Sequence, residues 1–242
     1  MQIKNNKFVV RIIENIKYYF NLYNYAEFIK IEGLNYILNY INKNGYNKLD
    51  NSVVDLGGGN GLFAYRLKKR GLKNKITVVD NYMDQQFGFM HIKKNIEEFN
   101  GVKYKIVLCL LVLELVDDRG KILNTIKNIL ESDGICFIII PNIKGVNVQI
   151  WREKAKKNNS ELSQLFYRKQ KLVSIAVIEE ELRSVNMKIL EVYNFGFLPT
   201  YATNSKKRFT KQCYLELNIN LKNYLESSYN LLVVKKDSKN EA

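Results

Sequence analysis

Apolar residues recur along the chain with two spacings, one typical of buried strands and one typical of helices. Residues 106–113 and 135–140 are continuous apolar runs, as expected for strands that are buried on both faces of a sheet. Between them, the apolar residues fall at i, i+1, i+4, i+7 and i+8, the spacing of one helix face: Ile122, Leu123, Ile126, Ile129 and Leu130. Helices that alternate with buried strands predict an α/β fold, in which right-handed crossovers build a doubly wound sheet.

A glycine-dense turn follows another apolar strand. The segment VVDLGGGNG covers residues 53–61, and its glycines allow the backbone to bend sharply and to approach a ligand closely. The chain then continues as a helix that is expected to end at Gly71. The next apolar run, ITVVD, ends at Asp80. Strand, turn and helix in this order predict a nucleoside-cofactor site at the carboxyl edge of the sheet.

Two classes of cofactor fit the spacing of this turn. A dinucleotide fingerprint can be placed on Gly59, Gly61 and Ala64. Asp80, 19 residues after Gly61, would then be the ribose ligand. The pyrophosphate of a dinucleotide would, however, lie close to the carboxylate of Asp55 at the end of the preceding strand. Asp55 therefore favours a cofactor that carries positive charge and no phosphate, such as S-adenosylmethionine.

The segment DLGGGNG resembles the D-x-G-x-G-x-G motif of class I S-adenosylmethionine-dependent methyltransferases. Residues 104–118 resemble the fourth strand of that superfamily and the segment after it, and residues 121–142 resemble the next helix, a turn and the fifth strand. Residues 177–199 resemble the last helix and sixth strand of ubiquinone-biosynthesis-like small-molecule methyltransferases, and residues 229–236 resemble the seventh strand. The resemblance implies a Rossmann-like, doubly wound seven-stranded sheet whose last strand is antiparallel.

The resemblance also implies a site for S-adenosylmethionine along the carboxyl edge of the sheet. Asp80 would bind the ribose hydroxyls, and Asp55 would lie near the methionine end. Asn95 stands where the family has an aspartate at the adenine amino group, and Ile96 would pack on the adenine ring. The implied cofactor-binding residues are Asp55, Gly57, Gly59, Gly61, Asp80, Asn81, Asn95, Ile96 and Cys109.

The polar residues among them also have structural alternatives. Asp55 could cap the helix after the turn, Asp80 could be a solvated residue at a strand end, and Asn95 could be an ordinary loop residue. Glu114, after the fourth strand, could act as a base toward the methyl acceptor or could only bond backbone amides. The single histidine, His91, is expected to be structural, and the catalytic residues therefore stay unknown.

Two departures from the family pattern affect the site. Only residues 81–86 separate Asp80 from the third predicted strand, where the family has a helix of several turns. Leu115 follows Glu114, where many relatives have a histidine.

Length and composition predict one globular domain. We expect a helical cap at residues 1–48, a methyltransferase domain at 49–236 with a helical lid insertion at 145–173, and a disordered tail at 237–242. No apolar run is long enough to span a membrane, the N-terminal segment is charged, and the three cysteines lack metal-ligand spacing. These features predict a cytoplasmic protein without a metal site. They leave the oligomeric state open.

The chain carries a net charge of +14, but lysine supplies 30 of its 38 basic residues, and arginine, the better reader of phosphate and bases, is scarce. The sequence therefore favours methyl transfer to oxygen or nitrogen of a small organic acceptor. Two alternatives stay open. One is an RNA methyltransferase that uses basic clusters at 152–157, 168–171 and 206–211, and the other is a non-catalytic partner subunit.

Overall fold

The computed structural model describes residues 32–81, 87–145, 171–195, 227 and 229–237. Within these ranges, seven strands form one sheet: β1 (Ser52–Leu56), β2 (Lys75–Val79), β3 (Met90–Ile92), β4 (Tyr104–Leu110), β5 (Leu130–Pro141), β6 (Met187–Phe195) and β7 (Tyr229–Lys236). The described helices are α1 (residues 32–43), α2 (Leu62–Lys69), α3 (Arg119–Ile129), α4 (Ile175–Ser184) and a 3-10 turn at Ile96–Glu98.

The strand order is β3-β2-β1-β4-β5-β7-β6. β1 pairs in parallel with β2 on one side and with β4 on the other, so the winding of the sheet reverses at β1. β7 enters between β5 and β6 and is antiparallel to both. This topology confirms the predicted doubly wound, Rossmann-like sheet, and it opens a crevice at the carboxyl ends of β1 and β4.

Two apolar layers cover the sheet. On one face, α3 and α4 pack through residues such as Ile122, Ile126 and Leu182 onto the odd-numbered side chains 107 and 109 of β4 and the even-numbered side chains 136–140 of β5. On the other face, α1 and α2 pack through Ile37 and Leu67 onto the odd-numbered β1 and β5 side chains and the end of β6. The helical spacing of the apolar residues explains both layers, because it places them on one side of each helix.

The segment between α3 and β5 differs from the sequence interpretation. The motif predicts a turn after the helix, whereas β5 begins at Leu130, directly after α3 ends at Ile129. Leu130 is buried opposite Tyr104 of β4, and the pairing register shifts before it resumes at Ile106. Lys105 forms ion pairs with Glu131 and Asp133, which lie in this irregular part of the strand. The polar residues therefore belong to a bulged strand.

Several predicted features lie outside the described residues. These are the first 31 residues of the N-terminal cap, residues 146–170 of the lid, the basic clusters at 152–157 and 206–211, and the tail beyond residue 237. Among the helices that the structure does describe, none has the length and apolar character needed to cross a membrane.

Candidate functional site

The glycine turn lies where β1 ends and α2 begins. Gly57, Gly59 and Gly61 have positive φ angles of 68°, 55° and 84°, which L side chains rarely adopt. The Gly57 N–H donates to the carbonyl of Val79 at 2.8 Å, and the Gly59 N–H donates to Oδ2 of Asp80 at 3.0 Å. The turn is thereby fastened to the end of β2. Asp80, which follows β2 directly, lies at the carboxyl edge as the sequence predicts.

Asp55 lies inside this arrangement, in the register of β1 between Val78 of β2 and Leu108 of β4. Its side chain is 1% exposed, and neither carboxylate oxygen has a hydrogen-bond partner. Burial, together with the negative charge of Asp80, raises the pKa of Asp55 to about 7. The capping alternative for Asp55 is wrong, because the N-cap residue of α2 is Gly61 and no side chain caps this helix.

Gly58 explains how the turn can cover Asp55. A Cβ atom at position 58 would stand 2.6 Å from Oδ2 of Asp55 and 2.9 Å from Cγ1 of Val78. Only a residue without a side chain leaves this contact free of overlap. The sequence interpretation did not assign Gly58 to the site, although it is one of three consecutive glycines.

The other side of the turn has apolar walls. A Cβ at Gly57 would stand 2.6 Å from Cγ2 of Val112 and 3.1 Å from Cδ1 of Ile96. Ile96 is thus brought to the turn, and Val112 joins it from the segment after β4. Nothing in the sequence singles out Val112, since it belongs to a continuous apolar run.

The two predicted asparagines have different surroundings. The Asn95 side chain accepts a hydrogen bond from the Glu97 N–H at 3.2 Å and caps the 3-10 turn at Ile96–Glu98. Asn95 is therefore a capping residue and not an ordinary loop residue. Its Oδ1 atom has a second lone pair that could accept from an adenine amino group. Asn81 is exposed, one residue beyond Asp80.

Cys109 and Glu114 lie farther along the same edge. Cys109 is fully buried near the end of β4, and burial raises the pKa of its thiol well above the usual value. Glu114 is 3% exposed, and its Oε2 atom has no hydrogen-bond partner. Burial raises the pKa of Glu114 to about 7.

The backbone at the end of β4 is strained. Leu111 has a φ of +61°, and its N–H donates to the carbonyl of Ile139 at 2.9 Å. A leucine in the left-handed region is uncommon, and such strain is concentrated at functional sites. The sequence contains no signal for it, because neither glycine nor asparagine marks the position. Together, the described residues can hold a nucleoside beside buried negative charge that has no cation as a partner.

Comparisons with known proteins identify the family of the chain and proteins that share its fold. Residues 25–192 match the protein family described as "Methyltransferase domain". No curated protein matches the chain.

Solved structures with the same fold are methyltransferases. A Thermotoga maritima enzyme, described as a possible histamine N-methyltransferase, has a TM-score of 0.60 at 15% identity over 94% of this chain and 97% of its own. A Burkholderia thailandensis 1,6-didemethyltoxoflavin-N1-methyltransferase, with 1,6-didemethyltoxoflavin and S-adenosylhomocysteine bound, has a TM-score of 0.57 at 12% identity. The match covers 95% of this chain and 88% of that enzyme. A Synechocystis magnesium protoporphyrin IX methyltransferase with bound S-adenosylhomocysteine has a TM-score of 0.56 at 11% identity. The match covers 86% of this chain and 83% of that enzyme.

Proposed function

We propose that this chain, which belongs to the methyltransferase-domain family, transfers a methyl group to an oxygen or nitrogen atom of a small organic acceptor. It is a methyltransferase, and S-adenosylmethionine is the cofactor of its family. Our proposal concerns three points: the small acceptor, the atom that is methylated and the residues that hold the cofactor.

One observation supports the assignment of the cofactor site to particular residues. The Asp55 carboxylate is buried beneath Gly58 and has no hydrogen-bond partner. S-adenosylmethionine carries an ammonium and a sulfonium group, so it supplies the positive charge that this carboxylate lacks. A dinucleotide would instead add phosphate charges beside Asp55 and Asp80. The residues of the site therefore fit the methyl donor.

The remaining roles follow from position. Asp80 would hold the ribose hydroxyls, the glycines of the turn would lie along the methionine part, and Ile96 with Val112 would pack against the apolar face of the bound nucleoside. Asn81 and Asn95 stay candidates for the adenine edge. Cys109 would line the floor of the site by its backbone, since its side chain is buried among apolar residues. The free thiols of Cys109 and Cys136 fit a reducing compartment such as the cytoplasm.

Calorimetry with S-adenosylmethionine tests these assignments. We expect the parent chain to bind, Asp80→Ala to weaken binding by about 100-fold through loss of two charge-assisted hydrogen bonds, and the exposed control Asp50→Asn to bind like the parent. No binding by the parent chain would refute the cofactor site. Equal binding by Asp80→Ala and Asp50→Asn would refute the role of Asp80.

An RNA acceptor is the second candidate, and the net charge of +14 favours it. The affinity of the protein for transfer RNA should then fall steeply as the salt concentration rises. The logarithm of the affinity should fall linearly with the logarithm of the salt concentration. Weak binding that hardly responds to salt leaves the small acceptor as the better proposal. Turnover by the isolated chain would exclude a non-catalytic subunit.

A further inference from the structure

The carboxyl group of Asp55 is enclosed by apolar side chains and by the backbone of the glycine turn. In the register of the sheet, Asp55 lies between Val78 of β2 and Leu108 of β4, which are both fully buried. Gly58 covers the carboxyl group, since a Cβ at this position would stand 2.6 Å from Oδ2 and 2.7 Å from Cγ. Within the described part of the chain, neither oxygen of Asp55 has a hydrogen-bond partner.

The neighbouring strands bring no positive charge to Asp55. Asp80, at the end of β2, acts on it with negative charge. Cys109 of β4 belongs to the opposite apolar layer, and burial raises the pKa of its thiol well above the usual value, so it is neutral. His91 of β3 is separated from Asp55 by Val78 in the register of the sheet.

The helices on this face of the sheet do not compensate Asp55 either. Their charged side chains are Glu32 and Lys43 on α1, and Arg66, Lys68 and Lys69 on α2. Lys68 Nζ donates to the carbonyls of residues 73 and 74 at 3.1 Å, before β2 begins. Lys69 Nζ lies 5.6 Å from the centre of the Tyr65 ring. Among the charged side chains of the described residues, only that of Asp80 acts on Asp55.

A carboxyl group in such surroundings is more stable with a proton than without one. The ionised form would lose its hydration and gain neither a hydrogen bond nor a counter-charge. Burial, together with the negative charge of Asp80, accordingly raises the pKa of Asp55 to about 7. A positive charge placed beside the carboxyl group would reverse this preference, because an opposite charge favours the ionised form.

We propose that the ligand-free chain holds a proton on Asp55 in mildly acidic solution, and that the ammonium group of the methyl donor expels this proton to solvent on binding. The inference rests on the proposed cofactor site and adds to it a linkage between cofactor binding and pH. The proton passes from the Asp55 oxygen to water or buffer, and no other bond forms or breaks. Acid therefore competes with the methyl donor for Asp55.

Calorimetry of S-adenosylhomocysteine binding to the full chain tests this linkage. The titration is repeated in two buffers with different ionisation enthalpies, and the difference in heat gives the number of protons released. The ligand carries the same ammonium group as the methyl donor, and this group is protonated at pH 6. We expect the release of about one proton at pH 6 and about half a proton at pH 7, and an affinity about fivefold higher at pH 7.

Two comparisons assign the proton to Asp55 and its release to the ammonium group. Asp55→Asn keeps the shape of the side chain but has no proton to lose, so its proton release should be close to zero and its affinity equal at pH 6 and pH 7. 5′-Deoxy-5′-methylthioadenosine has the nucleoside without the ammonium group, and the parent should bind it without releasing a proton. The control variants His91→Gln and Glu114→Gln remove other groups that can titrate, and both should release the proton as the parent does.

Infrared spectra supply a measurement that does not require Asp55→Asn to bind the ligand. At pH 6, the ligand-free parent should show more of the carbonyl band of protonated carboxyl groups than ligand-free Asp55→Asn, and S-adenosylhomocysteine should remove this excess. Equal bands in the two ligand-free proteins, or no proton release by the parent at pH 6, would overturn the inference. A release that persists in Asp55→Asn, or that 5′-deoxy-5′-methylthioadenosine also causes, would overturn it as well. Failure of the parent to bind S-adenosylhomocysteine would instead overturn the proposed cofactor site.

Discussion

A buried carboxylate without a partner destabilises the chain that contains it unless a ligand supplies the missing contacts. Asp55 is such a group, and Gly58 lies against it where any side chain would overlap its oxygen. The residue type at position 58 is therefore restricted by the side chain at position 55. The Asp55 carboxylate has no hydrogen-bond partner in the described part of the chain, and position 58 must lack a side chain to avoid overlap with it.

The size of the residue at position 57 should decide whether the turn can form. In Gly57→Ala, the new Cβ would meet Val112 at 2.6 Å and would adopt a φ of +68°. In the control Gly45→Ala, φ is +73° but no atom lies within 4 Å. Both variants carry backbone strain of about 1–2 kcal/mol, and only Gly57→Ala adds steric overlap.

We expect urea unfolding to show a greater loss of stability for Gly57→Ala than for Gly45→Ala by about 1–3 kcal/mol. S-adenosylhomocysteine binding should be lost in Gly57→Ala and retained in Gly45→Ala. Retained binding in both variants would contradict the close approach of Val112 and Ile96 to the turn.

At the scale of elements, the sequence predicted the strands that carry a continuous apolar pattern and the helices that carry one apolar face. β7 lies at the residues that the family resemblance gave. The apolar patterns place β4 and α3 correctly but extend them too far, because β4 ends at Leu110 and α3 ends at Ile129. The start of β5 was not predictable, because its polar residues face the bulge at Lys105 and resemble a turn in composition. The strained Leu111 was not predictable either, since its conformation depends on the Ile139 carbonyl of a neighbouring strand.

The 3-10 turn at Ile96–Glu98 gives a test of the two interpretations of Asn95. Its side chain caps this turn and so holds Ile96 beside Gly57. Asn95→Ala removes the acceptor oxygen and should cost about 1 kcal/mol of unfolding free energy, whereas Asn95→Asp keeps the cap and should cost a few tenths.

The same two variants should also separate in S-adenosylhomocysteine affinity. Asn95→Asp should bind within about twofold of the parent and Asn95→Ala about fivefold more weakly, because a loosened turn leaves Ile96 less well placed. An equal loss in both variants would mean that the Asn95 amide itself, and not the cap, contributes to binding. Urea unfolding and calorimetry supply the two measurements.

At the scale of the molecule, the order of the sheet brings Asp55, Asp80 and Glu114 to one edge. The sequence predicted this edge, because strands that end in acidic residues share it in a parallel sheet. It did not predict which carboxyl groups would be buried without partners, since that depends on how the turn and the segment after β4 close over them. The small apolar pocket was also missed, because it joins residues as distant in the chain as Phe63 and Tyr229.

The buried carboxyl groups should make the stability of the ligand-free chain depend on pH. The pKa of Asp55 rises from 3.8 to about 7 on folding, so the folded chain binds its proton more tightly than the unfolded chain. The stability that this proton contributes is complete below pH 4 and is lost as pH rises to about 7. Glu114 acts with the same sign, from 4.5 to about 7.

The gain in stability of Asp55→Asn over the parent should therefore be larger at pH 8 than at pH 5 by on the order of 3 kcal/mol. Urea unfolding at the two pH values measures this difference, with Asp50→Asn as the exposed control. A gain of the same size at both pH values, or no gain at pH 8, would contradict an ionised and unpaired Asp55.

The place of β7 in the sheet also determines the order in which parts of the sheet can assemble. β1, β2 and β4 need only each other to bring Asp55 and Asp80 together. β6 pairs with β7 among the described strands, and β7 comes after it in the chain. The stacking of Phe195 on Tyr229 is therefore complete only when β7 has entered the sheet. During synthesis, the strands that bring Asp55 and Asp80 together can pair well before this aromatic contact forms.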